Sequence, residues 1–222
     1  MRELLRYMQW LPAMLVVPWT TGPAYAAMLG GQESRDPSAI VVHDVHIHEY
    51  GVANALRAFA KQQRIVIGYD TIEVGAQKTI QIDDSSSTVA GVLNTIVTQA
   101  SGYSWKVTDS GAIHVHKINS RVSLVDVQPA SFVIADKDRR EIWESLESIP
   151  ELISWLDNHR CTRGELFNGY EWKKNMKKVS LDTGGKTLGN ILDDVAAVTE
   201  TYFWEVVQAT ANDKCVLRII LW

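Results

Sequence analysis

Two short histidine pairs are the first residues of this chain whose type and spacing suit chemistry. His46-Ile47-His48 and His114-Val115-His116 each hold two imidazoles two positions apart. On a β-strand, residues i and i+2 point to one face, roughly 6.5–7 Å apart. That separation serves two ligands of one zinc ion, with Asp44 or Glu49 able to add an oxygen. If the two strands were neighbours, four imidazoles would converge. The competing reading puts all four histidines in solvent, on strands whose alternate residues Val45, Ile47, Ile113 and Val115 form a core.

Other candidates carry less. There is no G-x-S-x-G nucleophile motif, and Ser85-Ser86-Ser87 reads as a turn and helix cap. Gly184-Gly185-Lys186-Thr187 looks like the tail of a phosphate loop, but Ser180 stands where the upstream glycine belongs, so a turn and cap is expected here too. Asp83-Asp84 and Asp193-Asp194 are adjacent carboxylates rather than a spaced acid/base pair, and read as surface charge. Catalytic residues and cofactors are therefore assigned to none, and a non-enzymatic protein is expected. Trp155, Phe167, Tyr170 and Trp172 crowd into one stretch. Such rings either enlarge a small core or form a docking or sugar-stacking surface. Lys173, Lys174, Lys177 and Lys178 flank them, as a solvated face or a contact for an acidic partner.

These residues need elements to hold them. Alternation from Val45 predicts a half-buried strand. Val52, Leu56, Phe59 and Ala60 then follow a helical period. Ile65–Ile67 and Thr79–Ile82 read as short strands. Ser87 or Thr88 caps a helix carrying Val89, Val92, Leu93, Ile96 and Val97, and Gly102 sits at its C-cap. Tyr103–Val107 and Ala112–His116 form a closing hairpin. Shifting the chain by 99 places Ile80 on Val179, Ile82 on Leu181 and Asp83 on Asp182. The same shift places Thr88 on Thr187, Leu93 on Leu192, Tyr103 on Tyr202 and Trp105 on Trp204. Apolar positions that stay in phase without a gap imply an internal duplication. The second copy would open at Val122–Val127 or Phe132–Ile134, continue in a helix from Asp136 to Ser148, and hold an insertion at about 150–175.

The 222 residues are 46% apolar and 22% charged with a net charge of −4. This excludes a mainly disordered chain and argues against nucleic acid as a partner. The N-terminus has the order of a secretory signal: Arg2 and Arg6, an apolar run over Leu11–Val17, then Ala24-Tyr25-Ala26. Cleavage after Ala26 removes Arg2, Glu3 and Arg6 and leaves one further net negative charge. The expected divisions are a signal at 1–26, a linker at 27–40 and modules at 41–119 and 120–222. The mature chain would be periplasmic or otherwise exported, with no transmembrane segment. In an oxidising compartment Cys161 and Cys215 would either pair or remain two thiols.

The first half also resembles the short N-terminal domain shared by secretins and TonB-dependent receptors. The likeness rests on Ala55-Leu56-Arg57-Ala58-Phe59-Ala60, Ile65-Val66-Ile67-Gly68-Tyr69-Asp70, Thr88-Val89-Ala90-Gly91-Val92-Leu93 and Gly102-Tyr103-Ser104-Trp105. It covers about 45–118 well and 122–222 more weakly. The family often has glycine where Arg64 stands, and Thr201 replaces Gly102 in the second half. The resemblance implies an α+β fold of two tandem βαββαββ-type modules, with helices packed on small mixed sheets and the second module bearing the insertion. It also implies a function in binding other envelope proteins, without the pore or barrel that follows this domain in the family.

Overall fold

A computed structural model describes residues 36–72, 77–119, 122–164, 178–211 and 214–221. The compact unit runs from Arg35 to Trp222. Its first half holds β1 (Val41–Tyr50), α1 (Val52–Gln63), β2 (Ile67–Ile72), β3 (Thr79–Thr88), α2 (Val89–Ala100), β4 (Tyr103–Val107) and β5 (Ile113–Lys117). Its second half holds β6 (Val133–Lys137), α3 (Arg139–Glu147), α4 (Pro150–Asn158), β7 (Cys161–Arg163), β8 (Val179–Asp182), α5 (Leu188–Val198), β9 (Phe203–Ala211) and β10 (Lys214–Leu221). The α+β class holds, and both halves run βαββαββ once α4 is set aside.

Strand pairing repeats with the order. β1–β3 and β6–β8 are antiparallel ribbons. β5 lies antiparallel to β4 and parallel to β2, while β10 lies antiparallel to β9 and parallel to β7. The two strand trios do not stay apart. β2 pairs in parallel with β9, giving one six-stranded sheet in the order β4-β5-β2-β9-β10-β7. Two apolar clusters lie against it. One gathers the first half around Leu56, Phe59, Leu93 and Ile113, and the other gathers the second half around Ile142, Leu192 and Trp204. β9 serves both, because alternation sends Phe203 into the first cluster and Trp204 into the second.

Local chemistry explains the boundaries. The Thr88 hydroxyl accepts from Gly91 N–H at 3.0 Å to start α2, and Thr187, 99 residues on, accepts from Asn190 N–H at 3.4 Å to start α5. Gly184-Gly185-Lys186-Thr187 is thus a turn and cap. Asp138 and Glu141 form a reciprocal capping box on α3. The second repeat opens with β6. Ser123–Asp126, within one expected opening strand, is instead a 3-10 turn that buries Leu124 and Val125. Two elements emerge from the expected insertion. Pro150 starts α4 at a position where its missing N–H costs nothing. Cys161–Arg163 forms β7, a strand of the main sheet. Cys161 and Cys215 face each other across β7 and β10, 4.4 Å apart at Cα, and are disulfide-bonded.

Candidate functional site

The two histidine pairs lie in different sheets, so the four imidazoles do not converge. His46 and His48 point outward from β1, as their alternation with Val45 and Ile47 requires. Nδ1 of His46 is 3.0 Å from Oδ1 of Asp83, its partner across the ribbon. That hydrogen bond, then one from Gln81, holds the Asp83 carboxyl below its ordinary range. Among the described residues no three of His, Cys, Asp or Glu are grouped to hold a metal ion.

The second pair departs from the expected solvent-facing arrangement. β5 is an interior strand of the six-stranded sheet, and α5 lies over its His114, where a Cβ added at Gly189 would fall 3.2 Å from Cε1 of the imidazole. His114 is only 4% exposed, between Ile113 and Val115 that are fully buried. Its Nε2 lies 3.0 Å from both Oδ1 and Oδ2 of Asp193. Nε2 is thus the ring atom in hydrogen-bond reach of the carboxyl group. The Trp204 indole N–H also donates to Oδ1 at 2.8 Å, and the Ser110 hydroxyl to Oδ2 at 3.2 Å. Asp193 is 3% exposed, which overturns its reading as surface charge. Neighbouring Asp194 keeps the exposed role and pairs with Lys186 at 2.6 Å.

This cluster joins the repeats. Asp193 and Trp204 belong to the second, and His114 and Ser110 to the first. The Trp204 ring sits edge-on to His114, with centroids 5.1 Å apart. It also lies over Gly68, where an added Cβ would fall 2.0 Å from Trp204 Cζ2, so only glycine fits that strand position. Nearby, the Asp70 carboxylate accepts from Val122 N–H at 3.0 Å and ties β2 to the start of the second repeat. Chemically the arrangement is a lock. Ser110 donates to the carboxylate rather than to the imidazole, so the order needed to activate a hydroxyl nucleophile is not met.

A small surface cavity of about 60 Å³ opens beside the same joint, between Val52, Tyr69, Lys78, Tyr103 and Glu205. The Tyr69 hydroxyl donates to that of Tyr103 at 3.0 Å, and burial, then this hydrogen bond, pushes the Tyr69 phenol well above its ordinary range. A space of this size suits a few ordered waters.

The inserted aromatics resolve in part. Trp155 is 8% exposed and packs with Leu152 and Leu156 in the second core, its ring stacked on His159 at 3.9 Å between centroids. It is a core residue rather than a docking residue. Phe167, Tyr170 and Trp172 lie outside the described residues. No local pattern in the sequence marks the lock, although the 99-residue shift that overlays Trp105 on Trp204 also overlays Asn94 on Asp193. Comparison with protein families, curated proteins and solved structures finds no match to this chain. Among the described residues no helix is long and apolar enough to cross a membrane.

Proposed function

We propose that this chain is an exported, non-enzymatic docking protein of the cell envelope. It would be built from two fused repeats that resemble the short N-terminal domain of secretins and TonB-dependent receptors. The observation that carries this reading is the repeated architecture. Each half has the same βαββαββ order, with an antiparallel ribbon and a strand trio of the same pairing senses. The Cys161–Cys215 bond suits an oxidising compartment, in keeping with the signal-like N-terminus. Open ribbon edges offer strand-pairing surfaces, a general mode of protein recognition. Val41 and Tyr50 on β1 and Val133 on β6 are large apolar side chains left exposed on these ribbons.

Photo-crosslinking in the native envelope tests the reading. A photoreactive residue at Val41, Tyr50 or Val133 should give a discrete adduct with an envelope protein such as a secretin or an outer-membrane barrel, and one at buried Leu56 should not. Adducts equal to the buried control at all three positions, or only with cytoplasmic proteins, would refute it.

A further inference from the structure

The histidine pair of β1 is left unused by the docking role, and a carboxylate stands behind one of its rings. Val45 and Ile47 are buried, so His46 and His48 lie together on the solvent face of the β1–β3 ribbon. The register puts Asp83 opposite His46 and Gln81 opposite His48. Directly opposed residues have Cβ atoms only about 4.5–5.5 Å apart, so four polar side chains share one small patch.

Bonding within the patch fixes which atoms face outward. Gln81 Nε2 donates to Oδ2 of Asp83 at 3.4 Å, and Oδ1 of Asp83 lies 3.0 Å from Nδ1 of His46. The Asp83 side chain is 63% exposed, so at neutral pH it is an ionised carboxylate that only accepts. Nδ1 of His46 is therefore the donor, and the neutral ring keeps its lone pair on Nε2. A carboxylate behind one ring nitrogen is the arrangement that orients a metal-binding histidine through the other. The His46 side chain is 69% exposed, which leaves Nε2 open to solvent. His48 is exposed and held by no described residue, so its ring turns freely toward the same point. Side chains two apart on a strand are roughly 6.5–7 Å apart, within reach of one ion at metal–nitrogen distances of about 2.0–2.1 Å.

We propose that Nε2 of His46 and a ring nitrogen of His48 bind one divalent transition-metal ion of the zinc class, with Asp83 as the positioning residue behind His46. Imidazole nitrogens select zinc, copper and nickel over magnesium and calcium, which prefer oxygen. Among the described residues no group of three ligands forms, so water fills the ion's other positions and the ion exchanges readily. This site is independent of envelope docking, and either can fail alone. A chain that binds no zinc overturns the site and leaves the envelope adducts to decide the docking role.

Calorimetric titration of the purified full chain with zinc chloride is the test. Saturable binding should appear below about 1 mM zinc, without competition from magnesium. His46→Ala and His48→Ala should each weaken it at least about tenfold at unchanged circular dichroism, and His43→Ala, at an exposed histidine outside the pair, should not. Asp83→Ala should weaken it about 10–100-fold. Asp84→Ala removes the same charge one position along and should leave it unchanged. In NMR spectra of the natural chain, zinc should shift the ring signals of His46 and His48 together. No saturable binding, binding that survives both histidine variants, or equal losses in Asp83→Ala and Asp84→Ala would each overturn the proposal. Should a variant unfold, the ring signals decide, and shifts confined to other histidines would overturn the site.

Discussion

Arg64 closes α1 in the left-handed region, at φ 54° and ψ 41°, with its N–H bonded to the Ala60 carbonyl. That conformation costs a side-chain-bearing residue roughly 1–2 kcal/mol, and glycine avoids the cost. Arg64→Gly should stabilise the fold by about 1 kcal/mol, seen as a rise of roughly 2–4 °C in Tm. Tyr69 gives a second prediction at this scale. Its phenol titrates higher in the folded chain than the ~10 of an unfolded tyrosine. Below that pH both states hold the proton. Above it only the unfolded chain ionises, so stability must fall as pH rises past about 10. Melting curves taken across that range should show a shallower fall for Tyr69→Phe than for the natural chain. Single residues were legible in sequence where their role is local. The outward histidines of β1 and the caps Thr88 and Thr187 follow from alternation and from adjacency to an apolar helix. Asp193 and His114 were not legible, because their burial comes from a partner 79 positions away.

Among the elements, the joint of β2 with β9 sets the energetics. Buried Asp193 is bonded to buried His114 and Trp204 and to Ser110 at the surface, so Asp193→Ala leaves a buried imidazole and indole without their partner. The expected loss is about 3–5 kcal/mol by denaturant titration. Asn94→Ala removes the corresponding bond, from the Trp105 indole at the open β4 edge, where water replaces it, and should cost only about 0.5–1.5 kcal/mol. Equal losses at the two positions would contradict the view that one is sealed and the other open. Most elements could be read from period alone, since β1, α1, α2 and the β4–β5 hairpin carry clean alternation or a single apolar stripe. β7 could not, because three residues with one buried side chain give too little pattern. Ser123–Asp126 misleads for a related reason: closely spaced apolar residues suit a strand or a tight turn, and only the packing decides.

For the molecule as a whole, the repeated order of elements was legible and the joining of its two halves in one sheet was not. Matches at a constant shift of 99 point to the repeated order, but parallel pairing of β2 with β9 joins residues 136 apart and leaves no local signature. The fused sheet is stapled at its far end by Cys161–Cys215, which closes a loop of 54 residues. Reduction should therefore lower stability by roughly 4 kcal/mol, measured as the shift of the urea midpoint with and without reductant. Two fused repeats with open ribbons, a stapled sheet and a signal-like N-terminus support the proposed envelope docking. Photo-crosslinking in the living envelope tests it most directly. Discrete envelope-protein adducts are expected from Val41, Tyr50 or Val133 and none from Leu56; adducts no different from the Leu56 control, or formed only with cytoplasmic proteins, would contradict envelope docking.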